Sequence, residues 1–184
     1  MNVTTNGIAA LCLGVSVWAA GSVSGVPADA AEIKRINERV FPFSPGGELH
    51  LENKNGRITV EAWARPEVRI QITRSVRASD DAKAKEMLKV LKAEVEVRQG
   101  RIDIVSRFPR RQDSTGLWDI LGRKVASLQI HYYVQVPRMI DVTLETSNGE
   151  IRVRGVSGAL EASTTNADIR VAQVEGQIDL STRN

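Results

Sequence analysis

Four carboxylates, Glu150, Glu161, Asp168 and Asp179, recur near the end of the chain, interleaved with Arg152, Arg154 and Arg170. Two carboxylates flanking a sugar linkage are what glycoside cleavage needs, one of them with a raised pKa so that it can donate a proton. Each of these acids, however, sits between apolar residues in a pattern of period two, which places it on the outward side of a strand. A regular strand face offers neither a cleft nor burial to raise a pKa, so the acids read as rungs of a solvated face. The arginines Arg152, Arg154 and Arg170 then become the candidate ligand-facing residues, suited to an anionic partner. A polysaccharide-active enzyme is the alternative, and it requires acids and basic residues converging in a groove beside residues 107–127.

Other chemistry finds little footing. His50 and His131 are the only histidines, and neither lies in an HxH or HExxH spacing, which argues against a metal centre. The chain lacks a GxSxG elbow, a P-loop and a dinucleotide fingerprint, so no catalytic residue and no cofactor is expected. Few aromatics and no nucleic-acid module leave DNA and RNA as poor partners. One segment breaks the pattern: RFPRRQDSTGLWDILGRKVAS, residues 107–127, sets Arg110 and Arg111 before an apolar cluster around Trp118, with Arg123 and Lys124 after it. Basic flanks around an exposed aromatic suit an anionic glycan or a membrane surface. A loop whose Trp118 tucks onto the domain is the other reading.

The elements that must position these residues begin after residue 30. Residues 7–26 are uncharged and lead to Ala28-Asp29-Ala30, a small-x-small pattern of signal-peptide cleavage, so 1–30 reads as a secretory signal. The stretch MNVTTNG before it holds no Lys or Arg, which keeps an uncleaved anchor open, and with it a membrane-anchored sensor or assembly component. The one cysteine, Cys12, falls inside the signal, so the exported chain, periplasmic, surface or extracellular, would be held by packing alone. Losing Asp29 with the signal moves the formal charge from +3 to +4.

Residues 31–184 read as one β-rich domain. Glu48-Leu-His-Leu-Glu52 and GRITV (56–60) form a strand pair around Asn53-Lys-Asn-Gly56, and Val68, Ile70 and Ile72 mark another strand. Ser79-Asp80-Asp81 opens a helix over about 79–92, with Ala84, Met87, Leu88 and Leu91 on one face. Gln99-Gly100 turns a hairpin between Val95/Val97 and Ile102/Ile104, and Ile130–Val136 is a strand, completing a strand and hairpin region over 41–137.

From residue 138 the chain repeats. GEIRV (149–153), GALEA (158–162), ADIRV (167–171) and GQIDL (176–180) are short strands nine residues apart, and their side chains agree best at 18. The spacing stacks Ile151 on Ile169, Leu160 on Ile178, Arg152 on Arg170 and Glu161 on Asp179. Thr146, Thr164 and Thr182 form a hydroxyl column able to bond from coil to coil, and Asn148, Asn166 and Asn184 form an amide ladder at the turns, with strands about 4.8 Å apart. The fold class is therefore mainly β: a β-solenoid or β-helix-like roll of 18-residue coils with a dry Ile, Val and Leu interior, preceded by antiparallel strands and one α-helix. At Asn184 the next turn is due and no polar cap has appeared, so the expectation is either a fragment or a last coil covered by another part or partner.

These segments, NGEIRVRGVSGALEASTTNADIRVAQVEGQIDLSTRN and FPFSPGGELHLENKNGRITVEAW, resemble the bacterial adhesin-like domains of unknown function built from β-strand repeats. The resemblance spans most of residues 41–184. It implies an exported or envelope-associated, right-handed β-helix-like domain with no established enzymatic residues. The expected function is a non-catalytic, adhesin-like binding or structural scaffold, with an envelope polymer or another protein as the candidate partner.

Overall fold

The computed structural model describes residues 31–109 and 125–183. In chain order the elements are β1 (Ala31–Pro42), β2 (Gly47–Asn55), β3 (Ile58–Trp63), β4 (Glu67–Ala78), α1 (Asp81–Val90), β5 (Lys92–Arg98) and β6 (Arg101–Arg107). After these come β7 (Val125–Pro137), β8 (Ile140–Asn148), β9 (Ile151–Arg154), β10 (Leu160–Thr164), β11 (Ile169–Ala172) and β12 (Ile178–Thr182). They build two six-stranded sheets: sheet A in the order β1-β4-β7-β3-β9-β11 and sheet B in the order β12-β10-β8-β2-β6-β5. Inward residues of both, such as Val60 and Val153 of A with Leu51 and Leu144 of B, belong to one hydrophobic cluster.

The 18-residue period is the pairing register of parallel strands. Leu160 has Val142 and Ile178 as its Cα partners, and Ile169 has Ile151. Alternation on each short strand turns every second side chain inward, and parallel neighbours put like on like. The amide ladder is present at the turn: Asn166 Nδ2 donates to Asn148 Oδ1 at 2.9 Å. Asn55 is the Cα partner of Asn148, so the asparagine column starts one coil earlier.

The threonine column works differently from the sequence reading. Thr164 Oγ1 donates to the carbonyl of Gly149 at 3.4 Å and Thr182 Oγ1 to that of Ala167 at 3.2 Å, so each hydroxyl closes a corner of the preceding coil rather than bonding another threonine. Thr146 Oγ1 has no partner among the described residues. The carbonyl equivalent to Gly149's is that of Gly56, which already accepts from Asn53 Nδ2 at 3.0 Å.

The strand pair expected around Asn53-Lys-Asn-Gly56 is also corrected. β2 and β3 lie in different sheets: β2 runs parallel between β6 and β8, and β3 runs parallel between β7 and β9. Alternation reports which face is buried and is silent on which edge pairs, so a hairpin and a sheet-to-sheet corner look alike in sequence. Asn53 makes the corner, donating to Gly56 O and to Ile130 O at 2.9 Å while its Oδ1 accepts from Ser106 at 2.9 Å. The antiparallel part of the fold is instead β1-β4-β7 and the β5-β6 hairpin.

Helix α1 starts at Asp80, whose carboxylate accepts from the Lys83 backbone N–H at 2.9 Å. Its buried residues Ala84, Met87 and Leu88 face β4 and β1, so the helix covers sheet A at the end away from β11. Burial fades toward that far end. Leu160 and Ala162 are 2 % and 1 % exposed, but Ile178 and Leu180 in the same columns are each 45 % exposed. The expected dry interior therefore holds through β10 and not at β12, which has a strand on one side only among the described residues.

Candidate binding face

The outward side of sheet A gathers the sequence-predicted arginines. Arg152 and Arg170 are Cα partners on β9 and β11, and both reach Glu150: Arg152 Nε and Arg170 Nη1 each lie 2.8 Å from Oε1. Arg57 Nε lies 3.1 Å from Oε2 of the same carboxylate. Arg170 also approaches Asp168 at 3.6 Å. The Glu150 side chain is only 17 % exposed. The hydrogen bond from Arg152, reinforced by the charges of Arg152, Arg170 and Arg57, holds its carboxyl below the usual carboxylate range, and the same bond raises Arg152. Arg154 stands beside this cluster with its Nε donating to Gln173 Oε1 at 3.2 Å. Arg110, Arg111 and Trp118 lie outside the described residues, as do residues 1–30, where a signal is expected, and Asn184.

Arg57 is the member that sequence reasoning missed. Setting GRITV beneath GEIRV would have found it, because Arg57 takes the place of Glu150 in the next coil, and Ile58 and Ile151 are indeed Cα partners. The column is thus Arg57, Glu150, Asp168, with the sign changing between its first two members.

Two aromatics share the face. Trp63, at the end of β3, has the guanidinium carbons of Arg65 and Arg69 at 5.1 Å and 5.4 Å from its ring centroid, within cation–π range. Its indole N–H donates to the Glu67 carbonyl at 2.8 Å. Tyr133 donates to Glu61 at 2.6 Å, a bond that pushes its own ionisation upward, and Glu61 is the Cα partner of Arg154. Cationic, hydrogen-bonding and aromatic groups therefore continue from β11 to β4 on one sheet face.

The four acids that could cleave a glycoside do not converge. Glu150 and Asp168 belong to the outer face of sheet A, whereas Glu161 and Asp179 are partners on sheet B. Glu150 is shifted toward ionisation, the wrong direction for a general acid. Among the described residues no group of three or more His, Cys, Asp or Glu is placed to hold a metal ion, and no helix is long and apolar enough to cross a membrane.

His131 has a structural task on this face: its Nδ1 accepts the Arg57 backbone N–H at 3.1 Å. Burial, then the charges of Arg57 and Lys34, push its pKa below the ordinary 6.5. A depressed histidine pKa contributes stability that is fully present above the unfolded-state value and is lost as pH falls through the folded one. The melting temperature is expected to fall between about pH 7 and pH 5, and to fall less in His131→Asn. Parallel thermal melts of the two proteins check this; equal slopes would remove His131 from the account.

No family model matches the chain, and no curated protein matches it. Solved structures are distantly similar. A protein from Clostridium sporogenes ATCC 15579, provisionally named a cell adhesion protein, is 9 % identical with TM-score 0.33, the match covering 81 % of this chain and 99 % of that one. A provisionally named adhesin from Parabacteroides merdae ATCC 43184 is 10 % identical with TM-score 0.42, over 80 % of this chain and 52 % of that one. Another from Bacteroides fragilis NCTC 9343 is 9 % identical with TM-score 0.30, over 82 % and 97 %. At such identity and superposition no residue role and no activity passes to this chain.

Proposed function

We propose that the chain is an exported, non-catalytic envelope or surface domain, adhesin-like in the sense of a binding and structural scaffold, spanning residues 31–184 after a signal over 1–30. The observation that carries the binding role is the outward cluster of sheet A, where three guanidinium groups share one carboxylate and Arg154 stands alongside without an ion pair among the described residues. Unbalanced arginines on a flat face suit an extended anionic envelope polymer, whose repeated charges meet cations repeated at the strand spacing of about 4.8 Å. The constant 18-residue parallel register supports a β-solenoid reading of the repeat coils, a rigid support for such a face. Export is supported by the uncharged run and small-x-small site before Ala31.

The test is binding of the purified protein to anionic and neutral envelope glycans with salt varied, beside the variant Arg152→Ser/Arg154→Ser/Arg170→Ser. Exposed ion pairs contribute about 0–1 kcal/mol each, so the variant is expected to melt within a few degrees of the parent while losing the anionic polymer about tenfold or more. Unchanged binding would refute the assigned face, and a collapse in melting temperature would show the arginines to be structural.

A further inference from the structure

A second basic site lies at the opposite end of the molecule, on the inward side of β1. Alternation on β1 places Arg35, Asn37 and Arg39 on one face, and Arg35 is the direct antiparallel partner of Arg74 on β4. Arg74 is held from two sides: Nη1 donates to the Leu91 carbonyl at 3.1 Å and Nη2 to Asn37 Oδ1 at 2.7 Å. Leu91 follows α1 directly, and the next residue, Lys92, opens β5. Asn37, Arg39, Arg74 and Lys92 line a cleft of about 220 Å³ between the two sheets.

Like charges opposite one another on neighbouring strands destabilise a sheet. Here the fold accepts that cost without compensation: among the described residues no carboxylate lies within ion-pair distance of Arg35, Arg39, Arg74 or Lys92. The one acid in the cleft wall, Glu94, is committed to Arg107 at 2.9 Å. Burial, then the charge of Arg35, lowers the basicity of Arg74. Arg101, by contrast, is matched with both Glu48 and Asp103. A guanidinium pinned by two hydrogen bonds loses little further freedom on binding, and the remaining donors of its fork stay available.

We propose that this cleft is an oxyanion site for a phosphomonoester group. Three cations in its wall, with a fourth behind, exceed what a single carboxylate neutralises and fit the dianionic charge of a phosphomonoester, which guanidinium forks match with paired hydrogen bonds. The volume lies below the roughly 300–1,000 Å³ of pockets for drug-sized ligands, so the cleft takes a phosphoryl group and its nearest atoms, with the rest of the ligand outside. It is separate from the outer face of sheet A and does not depend on that face's assignment.

Calorimetric titration of the purified protein with inorganic phosphate and with glycerol 3-phosphate tests the site, beside flotation with vesicles of phosphatidylcholine with and without phosphatidic acid. Saturable one-to-one binding is expected, weakened about tenfold or more in Arg39→Ala/Lys92→Ala and unchanged in Arg98→Ser/Arg138→Ser, exposed arginines outside both basic sites. The two cleft residues are exposed, so their replacement is expected to leave the melting temperature near that of the parent; Arg74→Ala, with its buried contacts, is avoided. Binding of glycerol 3-phosphate alone assigns a soluble or polymer-borne phosphomonoester, and variant-sensitive binding of phosphatidic acid vesicles assigns a lipid headgroup. No saturation at millimolar ligand, or equal weakening by both variant pairs, would overturn the proposal.

Discussion

Val153→Asp is expected to leave the protein unfolded or insoluble under conditions in which the parent is stable. Val153 is 2 % exposed, and its Cα partners are Val60 on β3 and Val171 on β11, so the new carboxylate enters a stack of apolar side chains. An ionised group buried without partners costs on the order of 4 kcal/mol or more, a large part of the roughly 5–15 kcal/mol that holds a domain together. The same change one coil further, Val171→Asp, is expected to cost distinctly less, because Val171 is only partly buried. Thermal melts followed by circular dichroism check both. If the two variants melt alike, burial does not fade along the stack, and if Val153→Asp melts like the parent, the inside-outside assignment of β9 fails.

That gradient marks the limit of what the repeat alone could convey. GEIRV and ADIRV are near-identical, yet Val153 is buried and Val171 partly exposed, because burial depends on what lies on either side of a coil and the repeat encodes only the coil itself. The parallel register and the asparagine ladder were legible because each follows from local spacing and residue type, and the helix start was legible to within a residue, the cap falling on Asp80 rather than on Ser79. The order of the coils was not. β2 and β3 come early in the chain and lie in the interior of the sheets, an arrangement decided by long-range pairing that alternation cannot see.

Strand β1 was missed for a related reason. Its inward side carries Arg35, Asn37 and Arg39 and its outward side exposes Ile36 and Val40 at 59 % and 45 %, so neither face shows the apolar stripe by which a strand is recognised. Of the residues that break the strand pattern, Asn37 and Arg39 line the basic cleft and Arg35 stands opposite Arg74 behind it. Conflict between local pattern and fold is expected where a strand serves a ligand rather than the core. On the outer face, Arg152, Arg154 and Arg170 were legible as a column, whereas Arg57 required two distant segments to be set in register.

Gly56→Ala is expected to be severely damaging for the exchange of one hydrogen for a methyl group. Gly56 adopts φ +122, a conformation disfavoured for L-residues by about 1–2 kcal/mol, and its N–H donates to the Asn148 carbonyl at 3.0 Å. A Cβ there would stand 2.2 Å from the carbonyl oxygen of Ile130 and 2.8 Å from its carbon. These are backbone atoms of β7, so relief requires β3 and β7 to separate, and Asn53, which bonds both Gly56 O and Ile130 O, ties that corner together. The close approach repeats in the next coil, where a Cβ on Gly149 would meet Gly56 O. Gly46 supplies the control: it has φ +87, and a Cβ there meets nothing within 4 Å, so Gly46→Ala isolates the backbone term. Gly56→Ala is expected to cost about 3 kcal/mol or more, a fall in melting temperature of about 6–12 °C, with Gly46→Ala near a third of that. Equal melting of the two variants would mean that the coils slide apart without penalty, and that the tight stacking at this corner does not hold the sheets in register.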